Sequence, residues 1–291
     1  MEIITTILLQ LFTGFNSGMN LFLVSSGLSL IFGVLRVINF THGSIYLLSA
    51  YLCYLFSTIY SFWIGLLIAP IIAAFIGSLI EFLLIKKIYK NEHIYQLILT
   101  WGLVLVFSDI FKFIWGVDKK TLKIPEFLDK SFLIINQYIP YTHIFNCIIS
   151  LTVALLLILF VYKTKIGIII RASASDSEIT ETLGVNTRLV YNIVFSLACW
   201  LAGIGGALYG LLNPIQLGLD LEIVLLAFII VIIGGMGSIL GAFIGSIIAG
   251  IINAIGILIL PRFVMIFIYT LMVIILITKP SGLFGKTIER V

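Results

Sequence analysis

Four residues with polar side chains stand close together in an otherwise apolar part of the sequence: Arg36, Asn39, Thr41 and His42. They lie between two hydrophobic runs, each long enough to cross a bilayer. Their side chains can form hydrogen bonds, carry charge or move a proton. In hydrocarbon every polar group needs an internal partner, so such residues are tolerated at an interface, against protein or beside a water-filled path. The segment is therefore predicted to be either a plain loop or part of a translocation pathway.

The composition indicates a helical membrane protein. Of the 291 residues, 61% are hydrophobic and 10% are charged, and the mean hydropathy is +1.23. No soluble core needs so much apolar surface, whereas one helical span takes about 20 apolar residues and the chain supplies many such runs. The net charge of +4 does not point to nucleic acid, because the basic residues are scattered along the sequence.

Hydropathy divides the chain into nine apolar segments, which predict an all-α, polytopic membrane fold with about 8–9 transmembrane helices, some of them broken. The segments cover residues 8–32, 43–60, 62–85, 94–115, 143–162, 190–211, 221–234, 241–260 and 263–279. The seventh is too short to cross a bilayer alone, so we expect it to be half of a broken helix that continues through the glycines after it. No connecting stretch has room for a soluble domain, and residues 1–291 are expected to form a single transmembrane domain.

Lysine and arginine predict the orientation, because loops that stay in the cytoplasm carry an excess of both. Basic residues occur at Arg36, within residues 86–93 and 163–188, and at the carboxyl terminus. These parts are predicted to be cytoplasmic, and the loop 116–141 is predicted to lie outside. Glu81, near the cytoplasmic end of its segment, is expected to pair with Lys86 and Lys87 or to reach towards water.

The longest predicted cytoplasmic loop, residues 163–189, contains the signals of a short helix. Ser175 is followed three residues later by Glu178, which is a capping-box pattern, and Gly184 suits the position just after a helix end. These signals predict a helix from Asp176 to about Leu183, with acidic residues towards water or a partner and an apolar edge.

Glycines dominate a third stretch, residues 231–250. Gly237, Gly241 and Gly245 recur every fourth residue, which predicts a smooth helix face that a neighbouring backbone can approach closely. The glycines of 234–237 are expected to open a helix and to free carbonyl and amide groups that need partners nearby.

No pattern for enzyme chemistry is found in the sequence. The three histidines and three cysteines are too scattered to predict a metal site or a disulfide framework. A Walker A motif is also missing, because Pro280 occupies the position of its first glycine. We therefore expect neither a bound metal nor a cofactor, and no ATPase site in this chain.

These stretches together resemble one known family. The pattern Gly-Leu-x-Leu-Ile-Phe-Gly-Val-x-Arg-Val-Ile-Asn-Phe-x-His-Gly over residues 27–43 is similar to the signature of permease subunits of branched-chain amino-acid ABC importers, the LivH-like family. The loop 163–189 resembles the cytoplasmic coupling segment of that family. Residues 234–242 resemble its Gly-Gly-x-Gly-Ser-x-x-Gly-Ala motif, and residues 280–285 resemble its carboxyl-terminal ending.

The resemblance implies an inner-membrane transport subunit that works by ATP-driven alternating access. It implies as partners a second related permease, two ABC ATPase subunits, an extracytoplasmic substrate-binding protein and an amino-acid substrate. Contact with the ATPase would fall on Gly167, Arg171, Ala172, Ala174, Asp176, Leu183, Gly184 and Asn186. Polarity and glycine content favour as pathway or gate residues Asn39, Thr41, His42, Gly43, Gly234, Gly235, Gly237 and Gly241.

Two alternatives remain open at this point. Permeases for urea and short-chain amides share the same motifs. An ion-coupled secondary carrier or membrane enzyme would need acidic residues or a catalytic cluster within its spans, and the sequence offers Glu81 and Asp109, both near segment ends.

Overall fold

The computed structural model of the protein describes residues 2–89, 91–134 and 137–285, and these residues are mostly helical. The helices are α1 (Glu2–Leu35), α2 (Thr41–Ile59), α3 (Phe62–Leu83), α4 (His93–Trp115), α5 (Tyr141–Lys163), α6 (Lys165–Ser175), α7 (Ser177–Thr182), α8 (Thr187–Leu212), α9 (Leu219–Gly234), α10 (Ile239–Ile259) and α11 (Val264–Thr278). A short hairpin of β1 (Ser131–Ile134) and β2 (Gln137–Pro140) precedes α5. The carboxyl terminus, residues 286–291, whose predicted location is cytoplasmic, lies outside the described residues.

The prediction of an all-α polytopic fold is confirmed. Each of the nine predicted apolar segments contains a long helix. Within the described residues, seven helices are long and apolar enough to cross a membrane. The other two segments contain α9 and α2. Helix α9 has 16 residues, about 24 Å at the usual rise, and α2 carries many polar side chains along its buried length.

Helix α1 lies at the centre of the bundle. It packs against α10, α8, α5 and α9, and most of its side chains beyond the first turns are buried. Helices α4 and α11 lie at the periphery, and their large apolar side chains, such as Phe113 and Ile277, are exposed. This distribution suits a membrane protein, because apolar side chains at the periphery face lipid.

Small residues allow a close contact between α1 and α10. A Cβ atom added at Gly14 would lie 2.8 Å from the carbonyl oxygen of Gly250, and one at Gly18 would lie 2.7 Å from that of Ser246. The predicted glycine stripe is therefore only partly right. Gly241 and Gly245 do lie on one face of α10, but that face packs on α9, and Gly237 lies in the turn before the helix.

The expectation of a broken helix across the glycines is wrong. Gly241 packs against Gly234, and Gly245 packs against Ile230. Contacts that move apart along the chain in this way join antiparallel helices, so α9 and α10 form a hairpin. The reason is the turn itself, because Gly235 and Gly237 have φ values of 101° and 80°, which reverse the chain and which L-residues with side chains rarely adopt.

The chain also turns back after α1. Helix α1 ends at Leu35, Arg36 has a φ of 55°, and the next residues up to Ile38 and Asn39 are not helical. His42, at the start of α2, reaches the carbonyl of Val24, which lies about three turns, or roughly 16 Å, before the end of α1. Residues 36–40 therefore run back along α1, and α2 begins beside the middle of that helix.

Candidate functional site

In the segment predicted as a loop or pathway, residues 37–40 are non-helical and buried or half-buried, and Thr41 and His42 are the first residues of α2. Thr41 Oγ1 donates to the carbonyl of Thr100 on α4, at 3.1 Å. His42 Nε2 lies 3.1 Å from the carbonyl oxygen of Val24, and since a carbonyl only accepts, that nitrogen carries the proton. Irregular backbone inside a membrane protein is tolerated where protein surrounds it or where it lines a cavity. The segment is thus held against α1 and α4 by its own polar side chains.

Asn39 differs from its neighbours because its amide has no partner. The side chain is fully buried, and neither the nitrogen nor the oxygen of the amide has a hydrogen-bond partner among the described residues. His42 Nδ1 is also buried without a partner in that part of the chain. A buried amide without partners costs free energy, so each such group needs an explanation other than stability.

Gly43 joins the polar segment to α9. A side chain at this position would overlap the carbonyl oxygen of Asp220, so glycine is what allows the two helices to touch. Next to it, Ser44 Oγ donates to Asp220 Oδ2 at 3.2 Å. The Asp220 carboxylate is 3% exposed. Asp220 was not predicted as an acidic residue within a span, because an acidic residue just before an apolar run is typical of a solvated helix start.

The glycines predicted as a gate form the turn between α9 and α10. Gly237 packs directly against Gly33, two residues before the end of α1; a Cβ atom at Gly33 would lie 2.8 Å from Gly237 Cα. Ser238 begins α10 by accepting a hydrogen bond from the amide of Gly241 at 3.0 Å. The two groups of predicted gate residues therefore border α1 at different levels, with His42 at Val24 and Gly237 at Gly33, and they do not form one cluster.

The last described residues complete this turn. The amide of Leu283 donates to the carbonyl of Ile233, and that of Phe284 donates to the carbonyl of Gly234, each at 2.9 Å. The partners that the freed carbonyls need are thus supplied by the segment 281–285. Two stretches that the sequence analysis treated separately, the glycine run and the carboxyl-terminal ending, are brought together here.

The predicted short helix in the loop 163–189 is present as α7, with a different start. Its N-cap is Asp176, whose Oδ1 accepts from the amides of Glu178 at 2.9 Å and Ile179 at 3.0 Å. The capping box that starts at Ser175 is therefore wrong, because the aspartate one residue later provides the stronger acceptor. Gly184 ends the helix as predicted, in the left-handed conformation with a φ of 83°.

A second helix in this loop, α6, was not predicted. Thr164 caps it by accepting from the amide of Gly167 at 3.0 Å. Gly167 is buried, and a side chain there would overlap the carbonyl oxygens at the end of α5. The signal that could have shown α6 is the threonine three residues before a glycine, after the basic end of an apolar run.

Most of the predicted coupling residues lie at the surface. The exposed ones are Arg171, Ala172, Asp176, Leu183, Gly184 and Asn186, while Ala174 is half-buried. Arg171 lies over the ring of Tyr162, 5.1 Å from its centre, and Asn186 caps α8. The apolar edge of α7 is exposed at Ile179. The loop therefore presents a surface with apolar and acidic side chains next to each other.

A cavity of about 1230 Å³ opens beside α7 at what we call the basic end of the bundle, defined by Arg36, Lys86, Lys87 and Arg188. Acidic side chains of the coupling loop line the same cavity: Asp176, Glu178 and Glu181. The Thr187 hydroxyl donates to the carboxylate of Glu181, which ties α7 to the first residue of α8.

The expected pairing of Glu81 with lysine is wrong. The carboxylate is 1% exposed. It accepts hydrogen bonds from the hydroxyl of Tyr89 and, at 2.5 Å, from Asn192 Nδ2 on α8. Lys86 instead lies over the ring of Phe82, 4.8 Å from its centre. Burial raises the pKa of the Tyr89 hydroxyl well above its usual range, and the bond to Glu81 adds to this, so the hydroxyl keeps its proton and donates.

Comparison with known proteins gives one consistent result. The family model described as "Branched-chain amino acid transport system / permease component" matches residues 10–276. The permease protein BraD of Pseudomonas aeruginosa is 26% identical, and LivH of Salmonella typhimurium is 25% identical, each over 97% of both chains. A probable LivH of Methanocaldococcus jannaschii is 26% identical over 79% of this chain and 75% of its own. A comparison with solved structures gives no significant match. The chain therefore belongs to the family of permease components of branched-chain amino acid transport systems.

Proposed function

We propose that this chain is a permease subunit of an ABC importer for branched-chain or similar hydrophobic amino acids. The family match over residues 10–276 carries this proposal, and the relatives are named as high-affinity branched-chain amino acid permeases. The chain would form one transmembrane domain of the inner membrane, with its carboxyl terminus in the cytoplasm. It would pair with a second related permease and receive substrate from an extracytoplasmic binding protein. Two separate ATPase subunits would hydrolyse ATP, so the chain would need neither catalysis nor a cofactor of its own.

The coupling loop supports the ATPase partnership. Ile179 and Leu183 are 59% and 77% exposed, which is unfavourable for large apolar side chains unless a partner or lipid covers them. Asp176, the N-cap of α7, and Glu178 in its first turn are exposed beside them. A partner cleft with an apolar floor, basic groups opposite Asp176 and Glu178, and an acidic group opposite Arg171 would match this surface. We assign that cleft to the ATPase, whose closure would move α7 and the helices joined to it in an alternating-access cycle.

The buried polar groups of residues 39–43 support the assignment of this segment to the moving gate. Asn39 and His42 carry buried atoms without partners in the described part of the chain, and Gly43 allows α2 to touch α9 closely. Such groups would find partners in another arrangement of the helices, or on a passing substrate. We therefore assign Asn39, Thr41, His42 and Gly43 to the gate or pathway, and we assign the glycine turn 234–241 to the element that moves with them.

Purification of the tagged chain from gently solubilised membranes, together with its partners, tests the function. We expect an ATPase and a second permease to copurify, and we expect ATP-dependent uptake of labelled leucine after reconstitution with the binding protein. Arg171→Glu should weaken the recovery of the ATPase, because it reverses an exposed charge of the coupling loop. The matched control is Arg262→Glu, an exposed arginine after α10, which should leave recovery unchanged. A chain recovered alone, with leucine uptake that follows an ion gradient without ATP, would contradict the proposal.

An ion-coupled carrier is kept as the second candidate because of one observation. Asp220 is a buried carboxylate with a hydroxyl partner on α2, and buried carboxylates are the usual coupling-ion sites of carriers. The gradient measurement above separates the two candidates. Competition of leucine uptake by urea or acetamide separates the amino-acid permease from a permease for urea or short amides.

A further inference from the structure

The carboxylate of Glu81 is buried close to the basic end of the bundle and accepts two hydrogen bonds. It lies on α3, less than one turn before the end of that helix, and it is 1% exposed. A buried carboxylate is costly unless its oxygens accept hydrogen bonds. Here both oxygens accept, one from Tyr89 and the other from Asn192. An apolar side chain at this position would avoid the cost of burying a charge.

The bonds around Glu81 join three parts of the chain. Asn192 Nδ2 also donates to the carbonyl of Ser78 at 3.0 Å, and Ser78 Oγ donates to Asn192 Oδ1 at 2.8 Å. Asn192 belongs to α8, Ser78 and Glu81 belong to α3, and Tyr89 follows the 3₁₀ turn that carries Lys86 and Lys87. The ring of Tyr89 lies edge-on to that of Tyr191 on α8, with centres 5.4 Å apart. We call Ser78, Glu81, Tyr89 and Asn192 the α3–α8 clamp.

The clamp lies close to the coupling loop along the chain. Helix α8 begins at Thr187, whose hydroxyl donates to Glu181 of α7, and Asn192 follows within the next two turns. The first turns of α8 therefore contact α7 on one side and α3 on the other. A displacement of α7 that moves the start of α8 is resisted at the clamp, because separating α8 from α3 would leave a carboxylate buried without donors.

We propose that Glu81 is a positioning residue that fastens the end of α3 and residues 85–89 to α8, so that movement of α7 is passed to α3. The proposal rests on the function proposed above, in which an ATPase moves α7. The role needs a carboxylate because a single side chain must accept from two donors on different elements. Lys86 has no part in it, since its ammonium lies over Phe82.

The test is the amount of leucine imported per ATP hydrolysed, measured on the copurified complex in proteoliposomes. Glu81→Leu removes both acceptors, and we expect the ratio to fall about tenfold while ATP hydrolysis continues, since hydrogen bonds to charged groups contribute on that scale. Tyr89→Phe removes one donor and keeps the ring, and its ratio should lie between those of wild type and Glu81→Leu. Glu81→Gln keeps one acceptor and should recover part of the loss. The matched control is Asp109→Asn, an exposed carboxyl on α4, with a wild-type ratio.

The outcomes separate this proposal from the one on which it rests. A wild-type complex that hydrolyses ATP without importing leucine contradicts the importer itself, and the clamp proposal falls with it. A coupled wild type together with a normal ratio in Glu81→Leu overturns only the role of Glu81. If Glu81→Leu assembles poorly, Tyr89→Phe decides, and a normal ratio for that variant overturns the proposal. A fall in uptake and hydrolysis in equal proportion would show a merely structural role and would overturn it as well.

Discussion

Two buried polar side chains, Glu81 and Asn39, have opposite hydrogen-bond states. Glu81 accepts from donors at both oxygens, whereas Asn39 has no partner for either atom of its amide among the residues described. A satisfied buried group fixes one arrangement of its neighbours, while an unpaired one lowers the stability of the arrangement that holds it. The satisfied state of Glu81 suits a residue that holds two helices together, and the unpaired state of Asn39 suits a group that changes partners.

This contrast predicts that Asn39→Leu separates stability from transport. Removing an amide that has no partners should raise the free energy of unfolding by about 1–3 kcal/mol, seen as a higher melting temperature of the purified complex. Leucine uptake should fall, because the gate loses its polar group. The control is Thr41→Val, which breaks the bond to Thr100 and should lower the stability by about 0.5–1.5 kcal/mol. Equal losses of stability in the two variants would remove Asn39 from the gate.

The sequence predicted which polar residues stand out but not their partners. Arg36, Asn39, Thr41 and His42 are visible because their types contrast with apolar neighbours. Glu81 was paired with Lys86 because local spacing makes nearby charges the only candidates. Of its two actual partners, Asn192 is 111 residues away along the chain, and only the packing of α3 on α8 brings it near. Asp220 was missed because it stands just before the apolar segment 221–234, and its partner Ser44 lies far from it in sequence.

At the scale of the element, α7 depends on its caps. A helix of six residues is too short to be stable by itself, because forming the first turn is unfavourable and few bonds follow. At the start of α7, Asp176 accepts from two backbone amides. At its end, the amides of Gly184 and Val185 donate to the backbone carbonyls of Glu181 and Thr180. The coupling helix is thus held mainly by the residues around it.

We expect Asp176→Ala to disorder α7 and Ser175→Ala to leave it unchanged. Loss of the N-cap should cost about 0.5–2 kcal/mol, which is large for so short a helix, whereas Ser175 makes no cap bond to α7. Recovery of the ATPase in copurification should fall for Asp176→Ala alone. A capping box would give the opposite order, with Ser175→Ala as the weaker binder.

Element types were more predictable than element directions. The nine apolar segments correspond to helices because apolar length alone requires them in a membrane. The glycine run showed that a helix ends near Gly234. It could not show whether the next helix continues or reverses, because that depends on the φ values of Gly235 and Gly237 and on the packing of Gly241 against Gly234. Helix α6 was overlooked because its pattern is weak beside the apolar segments.

At the scale of the whole molecule, the central helix α1 contacts both groups of residues that we assign to the gate. Helix α1 contacts the polar segment through Val24 and the glycine turn through Gly33. The segment 281–285 closes that turn from outside the hairpin, by donating two amides to the end of α9. Residues from the beginning, middle and end of the chain thus meet around one turn.

This meeting predicts that Phe284→Pro destabilises the whole bundle more than Phe284→Ala. Proline removes the amide that donates to Gly234, and a lost bond of this kind with a buried acceptor left unpaired costs about 1–3 kcal/mol. Alanine keeps the amide and removes only a half-exposed ring. The melting temperature of the purified chain should fall clearly for proline and little for alanine. Equal melting temperatures would mean that the bonds of residues 283 and 284 do not contribute to stability.

Because residues 281–285 are synthesised after α9 and α10, the turn between these helices is completed late. Helices α9 and α10 leave the ribosome before α11 and residues 281–285, so the hairpin enters the membrane with the carbonyls of Ile233 and Gly234 still without their amide donors. During this interval the nascent bundle has an open helix end that water, lipid headgroups or an insertion factor must cover. Completion of the turn is therefore among the last steps of folding, and a chain interrupted after α10 would leave these two carbonyls without the donors of residues 283 and 284.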